Sequence, residues 1–417
     1  MENLRNKAYQ TLRRSESFLK TDMVYVSKGS FWSTLNFILG ILSSFILVIS
    51  FAHFVPKDVY GNYKYILSIA GILTSITLTG MNASITRAVA QGNEGTFKKS
   101  LIYQLKWNLI FLAIAAVIGG YYLWQKNLLI GLSVIIMGIF SPVLNSVNTY
   151  IAFLNGKKDF RRITQYSFLT NIISVLVMIL TMIVTSNVIW LVLAFIGTST
   201  ITNTFFCWRT FQIYQPNSQI DPHAITYGTH LSIMNILTGI ADRIDSVLLF
   251  HFLGSSQLAN YSFAAAPPEQ LKGLFKQIGP LTMPKFAERK LSDIKKTIWH
   301  KMLIIFLIAL VIAVVYMIAA PWIFSTFFPN YISVVNLSRI YALILPLYFS
   351  QPISAALQAH RKTKILYLTN NATAIIWISS VFIGIYFWGI IGVIVAQIVW
   401  RAASALIGIT TFYKIKD

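Results

Sequence analysis

The segment TGIADRIDSVLLFHF, Thr238–Phe252, sets Asp242, Arg243 and Asp245 between long apolar runs. A charge at the centre of a membrane helix costs about 2.5–3.5 kcal/mol on insertion scales, so three of them call for a polar cavity or tight pairing. On a helix at about 100° per residue, Ser232, Asn235, Thr238, Gly239, Asp242, Arg243, Asp245 and Ser246 fall within roughly 160° of arc. Ile233, Ile236, Leu237, Ile240, Ile244, Val247 and Leu248 occupy the remainder. One face suits lipid or packed helices; the other suits water or a partner.

The rest of the chain is that of a polytopic membrane protein. Its 417 residues are 56% hydrophobic and 11% charged, against about 25% charged in a soluble domain. Twelve apolar segments of bilayer-crossing length are expected near 31–54, 63–88, 103–124, 128–154, 165–186, 188–211, 227–253, 257–282, 299–325, 332–357, 365–387 and 389–412. Turn chemistry or charge separates them, as in GNEGTFKK, WQKN, GKKDFRR, TSN and QPNSQIDPH. The single cysteine, Cys207, excludes an intrachain disulfide and a multi-cysteine metal site, and reads as a small buried side chain. The six histidines lack metal-ligand spacing, and no phosphate-binding glycine loop or nucleophile elbow is present.

A net charge of +21 would suggest nucleic acid in a soluble protein. Here the distribution explains it. With the N-terminus inside, 28 of the 34 basic residues fall on one set of alternating segments. Lys57, Lys64 and Lys126 fall on the other, and Arg243, Arg339 and Arg401 lie inside spans. The positive-inside rule then assigns both termini to the cytoplasm, and no nucleic-acid partner is needed. The outer loops are too short for an extracytoplasmic catalytic domain, so the chain reads as a transporter rather than an enzyme. Residues 1–30 form a basic segment, read either as an interfacial helix or as a disordered tail.

HFVPKDVYGNY (His53–Tyr63) aligns with HFLGSSQLANY (His251–Tyr261) at a constant offset of 198. Six helices is an even number, so two such halves share one orientation about an axis along the membrane normal. The expected architecture is all-α, MATE-like: an N-terminal lobe 31–211, a cytoplasmic linker 212–224, a C-terminal lobe 225–413 and a tail 414–417, around a central cavity. Substrate would sit near the midplane between the lobes. The intramembrane acids Asp242, Asp245 and Glu269 all lie in the second lobe. Glu269 follows Pro267–Pro268, a pair expected to kink or unwind its helix. Plainer readings stand beside these: an interhelical ion-pair network for Asp242 and Arg243, a hydrated outer position for Glu269, and interfacial snorkelling for Arg87, Arg339 and Arg401.

DRIDSVLLFHFLGSSQLANYSFAAA (Asp242–Ala266) resembles the helix 7–8 hairpin of Wzx-type polysaccharide flippases, members of the multidrug/oligosaccharidyl-lipid/polysaccharide exporter superfamily. PKDVYGNYKYILSIAGILTSITLTGMNASITRAVA (Pro56–Ala90) resembles their helix 1–2 hairpin, and FLNGKKDFRR the inner loop after helix 4. Length and span count suit that family better than the fourteen-helix lipid II flippases. The resemblance implies an undecaprenyl-pyrophosphate-linked oligosaccharide repeat unit as cargo, carried by alternating access to the outer leaflet of a bacterial cytoplasmic membrane. It would serve O-antigen or capsule assembly beside a polymerase and a chain-length regulator, in contact with membrane lipids. It implies substrate contacts at Arg243, Arg87, Asn235, Lys64, Arg339 and Arg401. It also implies coupling of H⁺ or Na⁺ at Asp242, Asp245 or Glu269, and no cofactor. Two alternatives remain open. One is a cation-coupled multidrug exporter, opposed by the lack of an acid in residues 31–54. The other is a non-transport protein of polysaccharide assembly.

Overall fold

The polar words between the apolar runs act as helix caps. Asn127, at the end of WQKN, accepts the Ile130 amide at 3.1 Å; Asp159, in GKKDFRR, accepts that of Arg162 at 3.0 Å; Asn187, closing TSN, accepts that of Ile189 at 2.9 Å. Each satisfies an amide that the first helical turn leaves without a partner. The computed structural model describes residues 23–415 apart from 277, 280, 281, 283–285, 287, 361 and 362. Most of the basic N-terminal segment thus lies outside the described residues. The regular elements described are all helical. They are α1 (Met23–Phe54), α2 (Lys57–Ser75), α3 (Met81–Ala90), α4 (Gly95–Trp107), α5 (Leu109–Trp124), α6 (Leu128–Val147), α7 (Thr149–Gly156) and α8 (Phe160–Val184). Next come α9 (Val188–Tyr214), α10 (Ala224–Met234), α11 (Ile236–Leu253), α12 (Ser255–Lys276), α13 (Leu291–Phe327), α14 (Val335–Ala342), α15 (Gln351–Ala359) and α16 (Thr363–Lys414).

Several expected spans are broken in two. Asn108, Asn148 and Asn235 each mark a break, and a turn at 76–80 separates α2 from α3. The opposite holds at the C-terminus, where the last two expected spans form α16, folded back on itself at Gly389. That residue has φ 57° and ψ −131°, open to glycine and strained for any other residue. The returning arms then approach so closely at Gly384 and Gly392 that a Cβ on either would collide with the other's backbone.

Among the described residues, eight helical segments are long and apolar enough to cross a membrane. Ile365–Lys414 holds the eleventh and twelfth expected spans together; the second, seventh and eighth are not among the eight. Those three hold Lys64, the Asp242–Asp245 group and Glu269 with Lys272, so charge lowers their hydropathy. Large apolar side chains such as Val117, Leu180, Val184, Ile318 and Tyr386 are exposed, as befits a lipid-facing surface. α2 packs on α11 and α12, α3 on α10, and α11 on α16.

The Pro267–Pro268 pair does not unwind its helix: α12 runs from Ser255 through both. A proline at 268 removes the amide that would bond the Ala264 carbonyl four residues earlier. The Ser338 hydroxyl of α14 donates to that carbonyl at 2.6 Å and lies 2.5 Å from the Tyr316 hydroxyl of α13. A neighbouring helix thus supplies the missing donor.

The loops gather at two ends. At one, Lys157 pairs with Glu94, and the 215–223 linker lies on the α3–α4 turn through Asn217 to the Gly92 carbonyl (2.9 Å) and the Asp221 amide to Thr96 (2.9 Å). At the other, Ser255 and Ser256 donate to Asp58 at 2.9 and 2.6 Å, and Asn330 donates to the Ala52 carbonyl at 2.9 Å. Gly61 there approaches the Ser255 carbonyl so closely that a Cβ would sit 1.9 Å from its oxygen.

Two outcomes are expected. Ser338→Ala orphans the Ala264 carbonyl and should cost about 1–3 kcal/mol, read as a lower thermal midpoint in detergent; Tyr316→Phe should cost less, since the Ser338–Ala264 bond survives. The hydroxyls of Ser256 and then Ser255 hold the Asp58 carboxyl below its ordinary value of 3.8. A depressed carboxyl stabilises the fold above its unfolded value and loses that effect as pH falls through the folded one. The midpoint difference between wild type and Asp58→Asn should therefore be present at neutral pH and shrink below about pH 4.

Candidate functional site

Close packing of small residues sets the inner wall. Gly239 lies against Ser75, and Ser232 accepts the Gly80 amide at 2.9 Å. The polar face expected on residues 232–246 is therefore divided: Ser232 and Gly239 pack α10 and α11 onto the 76–80 turn and α2, Asn235 between them is exposed, and its second half is open. Small residues let helices approach closely where apolar burial gives no drive.

The open half faces a cavity of about 320 Å³ between α1, α2, α11, α12, α14 and α16. Asp242, Arg243, Asp245 and Ser246 line it from α11, Lys64 from α2, Glu269, Lys272 and Lys276 from α12, and Arg401 from α16. Five basic and three acidic side chains thus share one space. Arg243 lies along Gly71 of α2, where a Cβ would sit 3.0 Å from its side chain.

Three of the charges are tied to neutral donors or to one another. Asp245, 8% exposed, accepts the Tyr261 hydroxyl at 2.8 Å and the Ser246 amide at 2.7 Å. Glu269 accepts the Tyr341 hydroxyl at 2.6 Å and pairs with Lys272 one turn on. The Trp377 indole donates to the Ala241 carbonyl at 2.7 Å and locks α16 onto α11 just before the charged group. By contrast, Asp242 and Arg243 are exposed to the cavity and have no ion pair among the described residues.

Six of the nine residues singled out in the sequence meet here: Lys64, Asp242, Arg243, Asp245, Glu269 and Arg401. Three lie elsewhere. Arg87 is exposed on α3, its guanidinium 5.8 Å from the Tyr227 ring centroid. Asn235 is exposed at the α10–α11 break. Arg339 donates to the Met317 carbonyl at 2.9 Å and joins α14 to α13. Lys64, counted among the outer-side charges, and Lys272, counted among the inner ones, both reach the cavity because their helices line it over several turns.

Tyr261, Tyr341, Trp377, Gln397 and Trp400 were not singled out, although they line the same space. Gln397, Trp400 and Arg401 stand at i, i+3 and i+4, one face of a helix, a signal present in the last span. The tyrosines carried no such mark, since a tyrosine in an apolar run reads as core.

Residues 26–288 match the family described as polysaccharide biosynthesis protein. No curated protein matches the chain. Among solved structures, a multidrug resistance MATE family transporter in an inward-facing conformation is 13% identical, with 89% of this chain and 93% of that one covered at a TM-score of 0.68. The lipid II flippase MurJ in an inward closed conformation is 14% identical, covering 93% and 88%, with a TM-score of 0.68. A MOP superfamily transporter from Pyrococcus furiosus, described by the reverse polarity of its binding pocket, is 13% identical, covering 93% and 94%, with a TM-score of 0.64. At such identities the likeness is one of fold. The match over 26–288 spans well over half of the sequence, and this chain belongs to the polysaccharide biosynthesis protein family.

Proposed function

We propose that this protein is a flippase that carries an undecaprenyl-pyrophosphate-linked oligosaccharide repeat unit from the cytoplasmic to the outer leaflet by alternating access. The carrying observation is the cavity, in which five basic side chains outnumber three acidic ones within a membrane fold. A pyrophosphate is an anion, and charge-assisted bonds from Arg243 and Lys64 suit it. The sugars occupy the polar space while the lipid tail stays in the bilayer. Asp245 and Glu269, held by Tyr261 and Tyr341, are the groups through which H⁺ or Na⁺ would couple. Arg87, Asn235 and Arg339, outside the cavity, would meet cargo only in another conformation. The polysaccharide biosynthesis family supports polysaccharide assembly as the setting, which we read as that of a surface O-antigen or capsule.

The topology belongs to the same reading: twelve spans, lobes 31–211 and 225–413 and both termini cytoplasmic. In its support, among the described residues the loops assigned to one side meet one another. Glu94, Lys157 and Asn217 gather at one end, and Asp58, Ser256 and Asn330 at the other. A cation-coupled drug exporter is the second reading, and the same excess of positive charge opposes cationic cargo.

Deletion of the gene in its host should cause lipid-linked repeat units to accumulate at the cytoplasmic face, read by mass spectrometry and cleared by the wild-type copy. Arg243→Ala at normal expression should abolish surface polysaccharide, a loss of at least about tenfold. Normal intermediates with altered sensitivity to cationic drugs would transfer the assignment to the exporter.

A further inference from the structure

α16 brings an unsatisfied polar cluster to the cavity. Gln397 is 8% exposed; its amide nitrogen donates to the Tyr261 hydroxyl at 3.4 Å, but its Oε1 has no partner among the described residues. The Trp400 indole N–H and the Arg401 Nε, both buried, are likewise unpartnered. Buried polar atoms are rarely left so, because each costs about 1–3 kcal/mol. All three residues line the cavity.

The surroundings define the missing ligand. The Arg401 guanidinium stands 4.0 Å from the Trp400 ring centroid and 4.4 Å from that of Tyr348. Two rings thus flank it, and no described carboxylate pairs with it. A planar, pre-oriented guanidinium without a counter-ion is built for a bidentate oxyanion. Beside it, Trp377 and Trp400 lie with centroids 5.2 Å apart and planes tilted by 36°. Trp400 is thereby held between Trp377 and the Arg401 guanidinium, with its N–H left to the cavity. One unpaired acceptor and two unpaired donors match a ligand bearing both hydroxyls and an acid group. A pyrophosphate instead calls for several cations, and Lys64, Arg243 and Lys276, without an ion pair among the described residues, stand on α2, α11 and α12.

Resting on the flippase reading, we propose that Gln397, Trp400 and Arg401, with Trp377, form a subsite for an acidic sugar. The carboxylate of a uronate-type residue meets Arg401 and the Trp400 N–H, a hydroxyl bonds Gln397, and Trp377 backs Trp400. The repeat unit carried would then contain at least one acidic sugar.

The test is tryptophan fluorescence of the purified full chain in nanodiscs, titrated with D-glucuronate, D-glucose and inorganic pyrophosphate. Glucuronate should quench saturably and glucose should not. Arg401→Gln should weaken glucuronate at least about tenfold and leave pyrophosphate unchanged. Arg401→Lys should weaken it too, because an ammonium keeps the charge but not the fork. If Arg401→Gln does not yield folded protein, Trp400→Phe, which keeps a ring and removes the N–H, should weaken glucuronate several-fold. Glucose binding as tightly as glucuronate, unchanged glucuronate binding in these variants, or a loss confined to pyrophosphate would each overturn the subsite. The last would give Arg401 to the lipid phosphate. The flippase reading falls separately, if deletion accumulates no lipid-linked oligosaccharide.

Discussion

A charge left in hydrocarbon is the constraint on which this structure depends. The chain carries its intramembrane charges on a few helices and turns those helices toward each other. α2, α11, α12 and α16 each present at least one ionisable side chain to the same cavity. Glu269 and Lys272, three residues apart, meet on one face of α12 and offset each other's desolvation. Asp245 is buried, and a hydroxyl and an amide replace its water. The absence of a side chain at Gly71 gives the Arg243 stem room against α2. Packing, polar satisfaction and cavity are thus one solution to one electrostatic problem.

The same economy governs the breaks. A helix interrupted in a membrane must re-satisfy its freed backbone groups. Asn108 stands at one break and donates to Ser146 at 2.9 Å and to the Pro142 carbonyl at 3.3 Å, so a polar side chain at a break also staples two helices. At Pro268 the remedy comes from outside: Ser338 caps the carbonyl that the proline frees. Prolines alone suggest a ruptured helix; the partner hydroxyl lies 74 residues away and keeps it whole.

The elements legible in the sequence were those written locally. Caps at Asn127, Asp159 and Asn187 sit in the polar words that separate the apolar runs, and the charged group of α11 announced a polar environment within a dozen residues. Which residues share that environment is a tertiary fact. Trp377 enters the cavity wall because its indole reaches the Ala241 carbonyl across 136 positions, a contact without local trace. Lys272 reads as topogenic by count and becomes a cavity residue through its pairing with Glu269. Ser232 of α10 and Gly239 of α11 read as water-facing yet pack, because serine and glycine mark helix contact as readily as solvent.

The contact of Asp58 with Ser256 carries a geometric consequence. Ser256 follows Asp58 by 198 residues, the offset at which the two hairpin sequences align, and the two are hydrogen-bonded. Residues related by a two-fold operation touch only where its axis passes, so under the proposed two-lobe topology this contact lies on the axis that the repeat implies. Under the proposed function, that is the place where the lobes must part for cargo to leave outward. Its composition suits the task. An acid held by two serine hydroxyls at the surface exchanges those bonds for water at small net cost. Gly61, with no side chain, lets the backbones close without interlocking. The deep contacts of Tyr60 with Phe263, centroids 4.7 Å apart, and of Tyr65 with Phe250, stacked at 3.8 Å, bury apolar surface and resist opening more strongly. Under the proposed function those aromatic pairs below the polar rim therefore add more to the energy of opening than the rim itself, and the rim serves to align them as the lobes return.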